Sequence, residues 1–216
     1  MELCKTMQGC QLAYVQSDEI SLLLTNFQTV DTQSWFENNL QKMVSVAASI
    51  AGVTFTTNSE EIWGYGGDMG DFPIQKPAYF DARAFVLPKE EVCNYFLWRQ
   101  LDATRNSVQM LARSIYSHKQ LEGKNNYELQ EMIFNAGTNW DKCPIPQKRG
   151  RCIVKTKIEK EAFNPKTKQT VKALRSEWIV DNEIPIFSQD RRYIDKFLFP
   201  KEVLESWDLT ANELTP

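Results

Sequence analysis

Histidine is nearly absent from this sequence: of 216 residues, His118 is the only one. A Ser-His or Cys-His nucleophile pair therefore has one candidate base, set in a polar "SHKQ" stretch that reads as a helix end. Cysteine is sparse and unpaired. Cys4, Cys10, Cys93, Cys143 and Cys152 make five, an odd number with no C-x-x-C spacing, which suits reduced thiols and gives no framework for disulfides or zinc. No run approaches the ~20 apolar residues of a membrane helix. The N-terminus has no basic region followed by an apolar stretch and a small-residue cleavage site, so a cytoplasmic location is expected and no membrane partner. A phosphate-cradling glycine loop is missing too. "EEIWGYGGDMGDFPIQKP" is rich in Gly and Pro, but it lacks the GK[ST] ending and the strand-loop-helix context that such a loop requires. It reads as a connecting loop.

What is present is an ordinary composition, 42% hydrophobic and 25% charged, in a chain long enough for one large domain or two small ones. The net charge of −3 is unevenly spread. From Lys142 to Arg175 stand eleven Lys or Arg against two Glu, a balance of +9 that leaves −12 for the remainder. Two readings account for such a segment. It can neutralise nucleic-acid phosphates with salt-sensitive affinity, or it can be a solvated hairpin whose lysines protect a strand edge. The stretch "GRCIVKTKIEKEAFNPKTKQTVKALRSEWIV" reads as two strands around an Asn164-Pro165 turn.

Elsewhere the pattern mixes helix and strand. Leu3, Met7 and Cys10 have helical spacing without a preceding cap. Trp35, Leu40, Met43, Val44, Ala47, Ala48 and Ala51 mark a partly buried helix, with Lys42 as its one inward charge. "YFDARAFVLP" alternates as a strand closed by Pro88. From Lys89 to Ser117 there is no Gly or Pro, and Leu97, Leu101, Val108, Leu111 and Ile115 form the apolar stripe of a long helix. Its other face carries a polar row of Arg99, Asp102, Asn106, Gln109 and Arg113. A shorter helix is expected over 126–135, from an Asn cap to Gly137, and "NEIPIFSQDRRYIDKFLFP" reads as an extended segment leading into a short helix.

One stretch resists a purely structural reading. In "YVQSDEISLLL" two acids, Asp18 and Glu19, interrupt apolar runs that would otherwise form continuous strand. A buried, unpartnered carboxylate costs several kcal/mol and tends to protonate. The pair must therefore occupy a turn or do chemistry.

Taken in order, "QSDEISLLL", "QKMVSVAAS", "YFDARAFVLP", "WRQLDATRNSVQM", "TNW" and "KRG" resemble the tRNA-His guanylyltransferase family, in particular its guanylyltransferase-like branch. The likeness runs from about Leu12 to Ile153 and, less sharply, into "IPIFSQD". It implies an α+β fold: a ferredoxin-like polymerase palm with added helices and a basic β-hairpin. Residues 1–141 would form the palm-like catalytic part with the long helix, and 142–216 the hairpin and C-terminal segment of the same compact unit. The implied activity is a magnesium-dependent nucleotidyltransferase that adds GTP or other nucleotides to the 5′ end of tRNA, in the 3′-5′ direction, using two Mg²⁺ ions and GTP or ATP. A tetrameric homo-oligomer is the family's usual state.

The resemblance assigns roles residue by residue. Phosphoryl transfer uses metal ions held by hard oxygen ligands. Asp18 matches a metal-binding catalytic aspartate. Glu19 matches the adjacent catalytic acid, in a supporting part because neighbouring strand side chains face opposite ways. Ser17 matches a position beside a nucleotide triphosphate, and Lys42 matches a family lysine where a cation can meet one, with snorkelling from a buried helix to water as the rival role. Arg83 matches the arginine of the family's "FDGR" motif, with Ala82 in place of the glycine and a salt bridge to Asp81 or Glu19 as the rival role. Arg99, Asp102 and Asn106 belong to the "WRQ" helix, where an Arg-Asp pair three apart commonly braces the helix. Lys148, Arg149, Arg151, Lys155 and Lys157 are the candidate tRNA-phosphate contacts.

Two departures qualify the expectation. Members that add one G to tRNA-His carry a histidine and a lysine where this chain has Thr104 and Glu128, which favours the branch that extends truncated 5′ ends of several tRNAs. Members also carry, upstream, a strand with an Arg-x-Asp-Gly motif that supplies a second metal-binding aspartate; this sequence has no such motif. A catalytically inactive tRNA-binding relic, or a fragment completed by a partner chain, is the alternative to an enzyme.

Overall fold

The computed structural model describes residues 1–63, 77–164 and 168–206. They form helices α1 (Glu2–Thr6), α2 (Leu40–Trp63), α3 (Lys89–Ile115), α4 (His118–Leu121), α5 (Asn126–Asn135), α6 (Ile145–Arg149) and α7 (Arg192–Asp195), and strands β1 (Cys10–Gln16), β2 (Glu19–Leu24), β3 (Arg151–Asn164) and β4 (Gln169–Asp181). The strands make one sheet in the order β2-β1-β3-β4. β3 runs antiparallel to β1, Leu12 facing Val154 and Val15 facing Arg151, and antiparallel to β4 along its whole length. The fold is thus the expected mixture of helix and antiparallel sheet. Two compact units divide it: residues 1–11 with 23–86, and residues 12–22 with 87–216.

In the first unit, α2 begins where the Asn39 side chain accepts the Lys42 N–H at 3.1 Å, an N-cap in the ordinary sense. Lys42 itself is exposed, so the inward orientation expected for it is wrong: capping places it on the wet side of the first turn. α2 also continues past the expected boundary, taking residues 60–63, whose composition suggests the start of the connecting loop. The core of that loop reading lies outside the described residues. The alternating 79–88 stretch is not a strand. Alternation makes a segment fit for a sheet, but a strand exists only where a neighbouring strand offers its edge, and here the N–H of Ala78 donates instead to Thr56 Oγ1 on α2 at 3.2 Å.

The second unit is organised by Tyr14. Its ring is fully buried and meets Phe96 and Phe187 edge-on, with centroids 6.5 and 5.7 Å away. Its hydroxyl donates to the Arg149 carbonyl at 2.7 Å, which supplies the partner a buried phenol needs. Burial raises the Tyr14 pKa far above its ordinary value. Gln100, buried on α3, clamps the C-terminal segment: its amide donates to the Pro185 carbonyl at 2.9 Å and accepts from the Phe187 N–H at 2.8 Å. Further along α3, Val108 and Ala112 join Leu129 and Ile133 of α5 in a separate apolar cluster. Gly150 closes α6 at φ 79°. A Cβ there would lie 2.6 Å from the Val15 carbonyl and 2.8 Å from the Tyr14 ring, so only glycine lets β3 start beside β1.

None of the five cysteines is in a disulfide; four are buried and Cys143 is half-buried. Burial pushes the Cys93 thiol up to about 11 and the Cys152 thiol up to about 12. No helix among the described residues is long and apolar enough to cross a membrane.

Candidate functional site

Strands β1 and β2 are joined by a turn of two residues, Ser17 and Asp18. Short hairpins of this kind need positive φ at a central position to follow the twist of the strands, and Ser17 supplies it at φ 47°. A non-glycine residue held there stores strain, a pattern that clusters at functional sites. The geometry answers the puzzle of the paired acids: Asp18 stands exposed at the turn, and Glu19 opens the next strand.

The two carboxylates have different surroundings. Glu19 accepts from the Gln16 amide at 2.7 Å and from the Arg99 guanidinium. Arg99 is nearly buried on α3, its guanidinium carbon 4.5 Å from the centre of the Trp98 ring, and it also reaches Asp102 at 3.5 Å. Asp102 in turn accepts from Arg105 at 2.6 Å and from Asn106 at 3.2 Å. Glu19 is therefore one end of a charge network that ties β2 to α3. Among the described residues Asp18 has no such partner. Three members of the polar row read on the long helix, Arg99, Asp102 and Asn106, serve this network, with Arg99 turned to Glu19 as well as to its own helix.

Beside the turn lies a cleft of about 300 Å³. Gln16 and Ser17 form one side, Asn106, Ser107 and Met110 of α3 a second, and Trp140 and Gln147 a third. Polar atoms thus face an apolar ring across a space of small-ligand size.

Magnesium commonly takes one or two carboxylates and completes its shell with phosphate oxygens and water. Asp18, an exposed hard donor with the Ser17 hydroxyl next to it, fits one such ion in the company of a triphosphate. Glu19 is committed to Arg99. Among the described residues no group of three or more His, Cys, Asp or Glu side chains gathers, so a two-ion centre finds no cluster of protein ligands there.

Lys42 and Arg83 belong to the other compact unit. Arg83 is highly exposed and pairs with Asp81 at 3.1 Å, the first of its two rival salt bridges. Of the basic residues, Lys148 has a side chain only 12% exposed and is engaged by Asp141 at 3.3 Å, while Arg149 Nε donates to the Ile184 carbonyl at 3.1 Å. Arg151, Lys155 and Lys157 are exposed, Lys155 with its ammonium 5.9 Å from the Trp178 ring centre. His118 is an exposed residue opening α4. Sequence patterns assign no role to Trp140 or Gln147, because their meeting with the Ser17 turn is made only by the β1-β3 pairing and the packing of α6 on α3. The motifs "TNW" and "KRG" are the one local signal near them.

Three comparisons bear on the arrangement. The profile of the family Thg1, tRNAHis guanylyltransferase, matches residues 1–88. A bacterial tRNA(His) guanylyltransferase (Thg1)-like protein solved in complex with ATP is 42% identical, over 92% of this chain and 75% of that one, with a TM-score of 0.76. Another such structure, in complex with GTP, is 41% identical over 92% and 74% of the two chains, with a TM-score of 0.72. The tRNA(His) guanylyltransferase of Saccharomyces cerevisiae is 22% identical over 77% of this chain and 69% of its own, at a TM-score of 0.49. No curated protein sequence matches.

Proposed function

The chain belongs to the tRNAHis guanylyltransferase family, and on that footing we propose that it is a nucleotidyltransferase adding nucleotides to the 5′ end of tRNA in the 3′-5′ direction. One observation carries the reading: the strained two-residue turn presents Asp18, exposed and without a hydrogen bond or ion pair among the described residues, directly after Ser17, which lines a cleft of about 300 Å³. A carboxylate with no structural duty, next to a ligand-sized space, is free for chemistry. Similar proteins have been solved with ATP and with GTP, which supports nucleoside triphosphates as substrates here. The frame would be a polymerase-type palm of ferredoxin-like descent.

In this reading Asp18 holds Mg²⁺, and the ion when bound neutralises charge on the phosphate oxygens and activates the attacking hydroxyl. The chain's own residues do the rest. The Ser17 hydroxyl would donate to a phosphate oxygen. Glu19 and Arg99 keep the turn in register against α3, so Glu19 positions the site and does not ligate. Lys42 and Arg83, both exposed cations, are available to phosphates. Arg151, Lys155 and Lys157 contact tRNA phosphates, which needs charge and little sequence reading. Cytoplasmic location and a homo-oligomeric state complete the proposal.

A second reading, a tRNA-binding protein without transferase activity, is favoured by the absence of any three-ligand acid cluster among the described residues. An addition assay separates the two. The chain and its Asp18→Ala variant are incubated with Mg²⁺, nucleotides and a tRNA transcript lacking its first 5′ nucleotide, and the 5′ end is followed. Extension that falls by at least about a hundredfold in the variant, the scale set by losing a site group or its support, is expected. Salt-sensitive tRNA binding with no extension by either protein would favour the second reading.

A further inference from the structure

An aromatic ring held still at the wall of a mainly apolar cleft with a few polar groups can serve as a stacking surface. Trp140 is such a ring. Its Nε1–H donates to Ser107 Oγ at 3.0 Å, and that hydroxyl donates onward to the Thr104 carbonyl at 2.8 Å. The Lys148 ammonium stands 5.4 Å from the indole centre, held near it by the Asp141 carboxylate. Part of the ring packs against the cluster of Val108, Ala112, Leu129 and Ile133, while Trp140 also lines the cleft with Ser17, Asn106, Met110 and Gln147. The indole is thus fixed before any ligand arrives, which lowers the ordering cost of binding.

The chemistry of the remaining walls narrows the ligand. Among the described residues no Asp, Glu, Lys, Arg or His side chain lines the cleft, so its walls carry no formal charge of their own. Asn106, its nitrogen bonded to Asp102 at 3.2 Å, and Gln147 carry amides, groups that offer both donors and acceptors. A flat, neutral, hydrogen-bonding heterocycle meets both kinds of wall, and every nucleobase is one. We propose that the Trp140 cleft is a nucleoside subsite, in which an unpaired nucleobase stacks on the indole while its phosphates extend to the Ser17–Asp18 turn. The amides read an edge without dictating it, so stacking makes the subsite tolerant of base identity. This deepens, and rests on, the nucleotidyltransferase reading. The base comes from a free nucleoside triphosphate or from the 5′-terminal nucleotide of an RNA.

The test measures dissociation constants, with Mg²⁺ present, for GTP, for ATP and for a 5′-triphosphorylated single-stranded RNA. The proteins are the parent chain, Trp140→Ala, Trp140→Leu and Trp140→Phe. Leucine keeps the apolar packing on Val108 and Ile133 and removes the aromatic face; phenylalanine keeps the face. Loss of a base-aromatic stack weakens binding by about tenfold or more, in alanine and leucine alike, with phenylalanine within about threefold of the parent. Weakening of GTP and ATP identifies the free nucleotide as the source, and weakening of the RNA alone identifies the 5′ terminus. Ligand-induced quenching present in the parent and missing in Trp140→Phe places the base on this indole. Equal affinities in all four proteins overturn the proposal, and if Asp18-dependent addition persists the nucleotidyltransferase reading survives it. An equal loss in phenylalanine and alanine marks Trp140 as structural and also overturns the subsite. A parent chain that binds none of the ligands overturns both readings.

Discussion

Adjacent acids at one turn have opposite duties, and the difference lies in a single residue on another element. Arg99 has a side chain 10% exposed, and a guanidinium cannot shed its charge. Glu19 supplies the main countercharge. Removing it leaves Arg99 with Asp102 at 3.5 Å as its remaining carboxylate, so Glu19→Ala is expected to destabilise the protein by about 1–3 kcal/mol, the cost of an under-satisfied buried charged group. Because Glu19 is half-exposed, the value belongs at the lower end of what buried pairs show. The measurement is the midpoint of urea unfolding at unchanged slope. Arg99→Met in the same background should recover part of the loss, since the stranded charge goes with it. Asp18→Ala removes no hydrogen bond or ion pair among the described residues and should leave that midpoint where it was. A large shift for Asp18→Ala would contradict the division of labour between the two acids.

Among the elements, α5 shows how local sequence writes its own boundary. Asn125 accepts from the Glu128 N–H at 3.0 Å and Glu128 accepts from the Asn125 N–H at 2.9 Å, a reciprocal capping box. Asn125→Ala should cost about 1 kcal/mol. The Asn125 N–H, and after it Lys124, hold the Glu128 pKa below its ordinary value. A carboxylate whose folded pKa is depressed adds stability that is present above the unfolded pKa and lost as pH falls through the folded one. The advantage of the parent over Glu128→Ala in thermal melts should therefore be full at neutral pH and shrink as pH falls through the acid range. An advantage that grows on acidification would refute the assignment. The β3-β4 ribbon is a different case, because pairing with β1 ends at Val154 and the rest of the hairpin holds only itself. Two strands alone are marginal, and cross-strand ion pairs between Lys160 and Glu177 and between Lys172 and Glu159 brace it.

Across the whole molecule, the Lys160–Glu177 pair reduces the charge asymmetry read from the sequence, whereas Glu159 is already counted within it. The +9 window stops just short of Glu177, Asp181 and Glu183, and register brings Glu177 back opposite Thr156, next to Lys160. Near the base of the ribbon Arg151, Lys155 and Lys157 stay exposed. Replacing these three by alanine should weaken tRNA binding and flatten its dependence on salt, by up to about 0.9 in the logarithmic slope for each phosphate no longer neutralised. The double variant Lys160→Ala with Lys172→Ala should change the slope little. Filter binding at several salt concentrations checks both, and equal effects of the two sets would show that the field acts as a whole. By itself the sequence determined the elements whose signals are local: the long α3, by its lack of Gly and Pro, the Asn-capped α5, the hairpin of β3 and β4, and an exposed turn at Asp18. The apolar stripe read on α3 did not mark its buried face, since Leu101 and Ile115 are exposed while Phe96, Arg99 and Gln100 are buried. Tertiary structure alone decided that 79–88 is no strand, that Glu19 belongs to Arg99, and that Trp140 and Ser17 line one cleft. Each of these depends on which distant segment supplies an edge, a countercharge or a wall, and no spacing along the chain encodes that choice.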